Sequence, residues 1–183
     1  MSYGQNYSLF TDVSELEKLV NSLEGYLNSN QLYGSVGGGF LTGGRSPQLT
    51  IGAILLRERR ISHLLGSLDD RQEQIYHATV DHHQQIAKQN RSVYREKMQK
   101  EALSRLDAMT RFFEECREDP SNCSRIYGPE VLRRTIVQEI IMTMEADGIF
   151  NNELDGKTRS TDRRLQGYVR PSEFIWDAIL EPV

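Results

Sequence analysis

From Ser67 to Asp119 the chain runs for 53 residues without a glycine or a proline, and Gln, Glu, Lys, Arg, Asp, His and Ala fill most of that length. Straight-chain residues of this kind lose little rotamer freedom in a helix, so the run is built to stay helical. Unbroken, it would be roughly 80 Å long at 1.5 Å of rise per residue, well beyond the diameter of a domain of this size. Such a helix either breaks or lies against a partner.

Its apolar seam divides it. Ile75, Thr79, His82 and Ile86 step at heptad spacing, and so do Ala102, Leu106, Met109, Phe113 and Cys116. Between them, residues 87 to 101 offer only Val93, Tyr94 and Met98 as large apolar side chains. The pattern predicts two coiled-coil-like ends joined by a polar middle that makes a poor core, since strict heptads are not sustained over enough repeats for one long coiled coil. Continuity is favoured, and a break is placed at Asn90 to Ser92. Ser67 and Asp70 form a capping-box pattern at the start of the run.

Four shorter segments also read as helices. Asp12 and Glu15 form a capping box ahead of Leu16, Leu19, Val20, Leu23 and Leu27. Ser46-Pro47 opens a second helix, expected to run to about Leu65, whose LTIGAILL stretch is apolar nearly all round and therefore buried. Its charged stretch Arg57, Glu58, Arg59 and Arg60 must reach solvent or a partner. Gly128-Pro129-Glu130 opens a third helix, ending near Asp147-Gly148, in which Val131, Leu132, Ile136, Val137, Ile140, Ile141 and Met144 give the strongest core signal. Pro171 opens a last short helix that carries Phe174, Ile175, Trp176, Ile179 and Leu180. Residues 28 to 45 contain six glycines and read as a loop, and 149 to 170 read as irregular. Period-2 alternation is nearly absent. The expectation is an oligomeric all-α bundle of four to five helices in a single domain spanning 1 to 183, with one very long helix.

Charge and cysteine content narrow the function classes. A net charge of −4 argues against bulk attraction to nucleic acid or an anionic membrane, because such binding is dominated by neutralising phosphates with Lys and Arg. No apolar stretch approaches the ~20 residues that span a bilayer. Cys116 and Cys123 flank an expected chain reversal with no zinc-site partners nearby and no secretory signal, and read as two reduced thiols in a cytoplasmic protein.

Three sets of residues are candidate sites. Glu73, His77 and Asp81 fall along one helical stripe at spacing i, i+4, i+8, and with His82 and His83 could hold a divalent cation. The arrangement lacks both the Glu-x-x-His pattern of di-iron bundles and the zincin pattern. His82, on the seam, is expected to be an interior or interface histidine. Residues 151 to 162 imitate a calcium loop, with Asn, Glu and Asp where the ligand positions call for other acids, and Gly156-Lys157-Thr158 imitates the end of a P-loop without its first glycine or its preceding strand. Lys157, Arg159, Arg163, Arg164 and Arg170 form a basic stretch around Tyr168 that could engage an anion, or pair with Glu114, Glu115, Glu118 and Asp119.

The expected function is a non-catalytic interaction or structural protein, most simply a homodimer, that buries Ile75, Ile86, Leu103, Leu106, Met109 and Phe113 against a partner helix. No cofactor is expected. The first alternative is a metal-binding bundle or metal-dependent enzyme using Glu73, His77, Asp81, His82 and His83. The second is a nucleic-acid adaptor acting through residues 157 to 170.

Overall fold

The computed structural model describes residues 8–36, 48–118, 120–149 and 151–166, without the side chains of 120–127. Seven α-helices and one two-residue strand pair make up this part of the chain, so the all-α expectation holds. Helix α1 spans Leu9–Asn21 and α2 Leu23–Leu27; strands β1 (Gly34–Ser35) and β2 (Gln48–Leu49) pair antiparallel; α3 spans Ile51–His63, α4 Asp70–Gln89, α5 Arg91–Glu118, α6 Pro120–Ala146 and α7 Asn152–Leu165.

Several helix starts differ from expectation, each for a local reason. Ser8, not Asp12, caps α1: its side chain accepts from the Thr11 N–H, which frees Asp12 in the first turn to point into the core. Helix α3 begins after Thr50 rather than at Pro47, because the Thr50 hydroxyl accepts from the Ala53 N–H at 3.1 Å while the preceding Gln48 and Leu49 are held in the strand pair. Asp69 and Gln72, two residues beyond the expected Ser67, form the capping box of α4. Helix α6 starts at Pro120 and runs through Gly128-Pro129, which had been read as its start. An interior proline removes one backbone donor, and packing along α5 carries the helix past it. The expected stop near Gly148 is observed, with that glycine at φ 69°.

Residues 152 to 165 correct the expectation of an irregular loop. Asn151 accepts from the Leu154 N–H at 3.0 Å and caps α7, which buries Leu154, Thr158 and Thr161 at helical spacing. Those positions 4 and 7 residues apart were the signal, and two polar threonines concealed it. A helix capped by Asn151 is neither a calcium loop nor a P-loop. The helix expected after Pro171 lies outside the described residues.

The long run breaks. Helix α4 ends at Asn90, whose side-chain amide donates to the Ile86 carbonyl at 3.0 Å in competition with helix continuation, and α5 begins at the next residue. The 28-residue α5 is then the spine of the bundle: α6 packs along it, α7 and α3 lie against it, and α1 joins α3 to α4. Leu16, Leu19, Ile54, Leu56, Ile86, Met98, Leu106, Ile136 and Ile140 meet in one continuous core, and Met109, Phe112, Phe113 and Cys116 form a second cluster toward the end of α5.

The polar middle of the run is exposed along much of its surface, but Lys97 and Glu101 are buried with partners. Glu101 accepts from the Gly52 N–H at 3.0 Å and from Arg105 Nε at 2.9 Å, and Arg105 reaches on to the Thr50 hydroxyl at 3.2 Å. Lys97 donates to the Gln31 carbonyl at 2.6 Å and lies over the Tyr26 ring. Three of the four residues in the charged stretch of α3 find partners in the same chain, and Arg59 is exposed. Arg60 forks onto Asp12, Arg57 reaches Asp12 and Glu15, and Glu58 meets His83. Cys116 is disulfide-bonded, contrary to the free thiol read from its spacing; disulfides persist in oxidising compartments.

Candidate functional site

The break at Asn90 brings together a polar constellation from three helices. In a straight helix residues 83 and 94 would be separated by about 16 Å of rise. Here His83 Nε2 and the Tyr94 hydroxyl lie 2.8 Å apart, a contact that requires the axis to turn between them. On the other side of the ring, His83 Nδ1 is 2.6 Å from a Glu58 carboxylate oxygen. Three helices thus contribute one group each: Glu58 from α3, His83 from α4 and Tyr94 from α5. The Tyr76 hydroxyl, donating to the Glu58 carbonyl at 3.1 Å, ties α4 to α3 next to them.

Both ring nitrogens of His83 are engaged. Burial pushes the Tyr94 hydroxyl well above the usual phenol range, and the Glu58 charge pushes the same way, so Tyr94 keeps its proton. A protonated phenol can both donate and accept, so it satisfies His83 Nε2 in either ring tautomer, while Nδ1 faces the Glu58 carboxylate. The chain runs Tyr94 to His83 to Glu58. It holds three polar groups in fixed orientation with every buried member satisfied, and it keeps the phenol a hydrogen-bonding group rather than a nucleophile.

These groups border a pocket of about 470 Å³ between α3, α4, α5 and α6. Small-molecule sites are typically about 300–1,000 Å³, apolar with a few placed polar groups. Leu55 and Ala87 supply apolar wall; Glu58, His83 and Tyr94 supply the inner polar groups; Gln84, Thr143, Lys88, Arg91, Arg95 and Asp147 complete the lining. Arg95 is held on Asp147, with Nε and Nη2 each 3.0 Å from the same carboxylate oxygen.

The residues singled out from sequence are distributed differently. Glu73 and His77 form an exposed pair, 3.5 Å apart, on α4; Asp81 and His82 are exposed as well, and only His83 turns inward. The side chain of His77 is 58% exposed and that of His83 4%, so one cation could not be shared between them without rotating the helix. Among the described residues no group of three or more His, Cys, Asp and Glu side chains is placed to hold a metal ion. His82 was expected inside; the buried face of α4 is Tyr76, Thr79, His83 and Ile86, one residue out of register with the expected Ile75 and His82.

On α7, Arg159 pairs with Asp155, while Arg163 and Arg164 are exposed. Lys157 is 2.8 Å from Asp107 and 3.4 Å from Glu153, and Arg170 lies outside the described residues. The α5 seam was placed correctly, but its occupant is this chain itself. Leu106, Met109 and Phe113 are buried in its own clusters, Ile86 likewise, with Ile75 and Leu103 half-buried against the main one. Pairing of two copies through those side chains would require them to leave the core. Leu106→Ala is accordingly expected to lower stability by about 2–5 kcal/mol, as for other large-to-small core changes, without altering the mass in solution. Urea denaturation together with sedimentation checks both halves of that statement.

Sequence reading missed Glu58 and Tyr94 as partners of His83. The available signal was Glu58 itself, an acid in a helix apolar on both sides of a short charged stretch. Compared with protein-family models, curated proteins and solved structures, the chain matches none.

Proposed function

We propose that the protein is a small-molecule-binding helical bundle whose ligand enters the pocket between α3, α4, α5 and α6. One observation carries this reading: a hydrogen-bonded chain of the buried His83 and Tyr94 with the half-buried Glu58 borders a pocket of ligand size. Burying such groups costs free energy that an apolar side chain in the same place would not, so their convergence on a pocket favours a polar occupant. The apolar wall of Leu55 and Ala87 would take the ligand's hydrocarbon part. Binding, rather than catalysis, is the activity proposed, since the protonated phenol is no nucleophile.

The test is a screen of single-ring fragments of positive, negative and zero charge against the full chain by ligand-observed NMR. Leu55→Trp, which adds bulk to the pocket wall, serves as the blocked control. At least one fragment should bind the native protein at a single site and lose at least about tenfold in affinity in the blocked variant, equivalent to 1.4 kcal/mol. Absence of binding, or binding unchanged by Leu55→Trp, would contradict the reading.

A further inference from the structure

The charges around the pocket specify the class of ligand, given that the pocket is a binding site. Two carboxylates line it, and each already has a cationic or hydrogen-bonding partner: Glu58 accepts from His83 at 2.6 Å, and Asp147 holds Arg95 at 3.0 Å. Two further cations line it, Lys88 from the last turn of α4 and Arg91 from the first residue of α5. Both are exposed, and neither has an ion-pair partner among the described residues. The break at Asn90 brings these two side chains to one pocket, so the same chain turn that positions Tyr94 beside His83 leaves unneutralised positive charge there.

We infer that the pocket takes a small organic oxyanion, a carboxylate or a phosphate monoester, with its charged head between Lys88 and Arg91 and its apolar body against Leu55 and Ala87. Carboxylate and phosphate share the chemistry that these groups recognise: a planar guanidinium offers parallel N–H donors to two oxygens, and an ammonium adds a point charge. A cationic ligand would face Lys88 and Arg91 with no free carboxylate to offset them. A neutral ligand would leave their charge unused. The Tyr94 hydroxyl gives the inner end of the ligand one polar group, and its retained proton makes it a neutral one that does not repel an anion.

Four probes of similar size separate the possibilities: benzoate, phenyl phosphate, benzyl alcohol and benzylamine, each titrated into the full chain at one low ionic strength by ligand-observed NMR. Native protein, Leu55→Trp and the double variant Lys88→Gln/Arg91→Gln are compared, with circular dichroism confirming that the exposed double variant is folded. At least one anionic probe should bind more tightly than the neutral and cationic probes, weaken at least about tenfold in the double variant and weaken likewise in Leu55→Trp. Tighter benzoate binding assigns a carboxylate ligand and tighter phenyl phosphate binding a phosphate, and either supports the inference. Benzyl alcohol or benzylamine binding as tightly as the anions, with loss in Leu55→Trp, overturns the oxyanion while the pocket's role as a binding site stands. Anion binding that survives Lys88→Gln/Arg91→Gln also overturns it. Failure of all four probes, together with failure of the broader fragment screen, removes both readings.

Discussion

Replacing Asp12 with alanine is expected to destabilise the protein by about 3–5 kcal/mol, the range for breaking a buried ion pair from one side. Arg60 is wholly buried and grips Asp12 through two nitrogens, and the buried Arg57 approaches the same carboxylate at 3.3 Å. Removing the carboxylate takes the Asp12 charge away from two buried guanidinium groups at the α1–α3 contact. For a chain of this length each kcal/mol is worth about 2–4 °C, so thermal unfolding should fall by about 10 °C. Glu15→Ala provides the comparison, because that carboxylate is 26% exposed where it meets Arg57. Its effect should be about 1 kcal/mol or less. Equal melting shifts for the two variants would mean that the interior arginines do not depend on Asp12.

The second large effect is expected at Gly52. A methyl group built at its Cα would sit 2.4 Å from Ile136 Cγ2, 2.5 Å from Glu101 Oε1 and 3.0 Å from Ile140 Cδ1. The isoleucines belong to the packed core of α6, and the carboxylate is fixed by the Gly52 N–H and Arg105, so none of the three can move independently. Gly52→Ala should therefore cost about 3 kcal/mol through overpacking, despite alanine's better helix propensity. The conformational requirement is close approach rather than an unusual backbone angle. Gly156, in the exposed part of α7 with open space around its Cα, supplies the opposite expectation: alanine there should stabilise by about 0.5–1 kcal/mol. Chemical denaturation of the two variants side by side reads both signs.

Much of the architecture was legible in the sequence because apolar spacing reports buried faces directly. Leu16, Leu19, Val20, Leu23 and Leu27, the face of α6 and the Ala102-to-Cys116 seam all lie where their spacing put them. The sequence reading could not tell a partner's helix from another segment of the same chain, since a heptad-spaced face is equally well covered by either. Helix α7 was missed because its buried face is Leu154, Thr158 and Thr161, two of whose hydroxyl groups score as polar while, in Thr158, the hydroxyl donates to the Leu154 carbonyl. The break in the middle of the run falls where the polar stretch placed it, whereas the burial of Lys97 and Glu101 there depends on partners on other segments.

The candidate site was half legible. The histidine-rich stretch of α4 marked the right region, yet the stripe at i, i+4, i+8 selected Glu73, His77 and Asp81, which face outward. His83 gains its role from Glu58, 25 positions earlier, and Tyr94, 11 positions later. The first pairing depends on the packing of α4 against α3, and the second on the break at Asn90. Helix propensity favoured continuity across that position; a side-chain amide bonding to the Ile86 carbonyl, and the burial gained by folding α5 back onto the bundle, decide against it.

The most direct test of the binding site is protein-observed NMR, with the backbone amide signals at positions 55, 87 and 94 followed during titration with the oxyanion probe that binds most tightly. The account predicts saturable shifts concentrated on these residues, which line the pocket on three helices, and their disappearance in Leu55→Trp while the remainder of the spectrum stays dispersed. Shifts centred instead on the exposed Arg163 and Arg164 of α7, or no saturable shift at all, would contradict it.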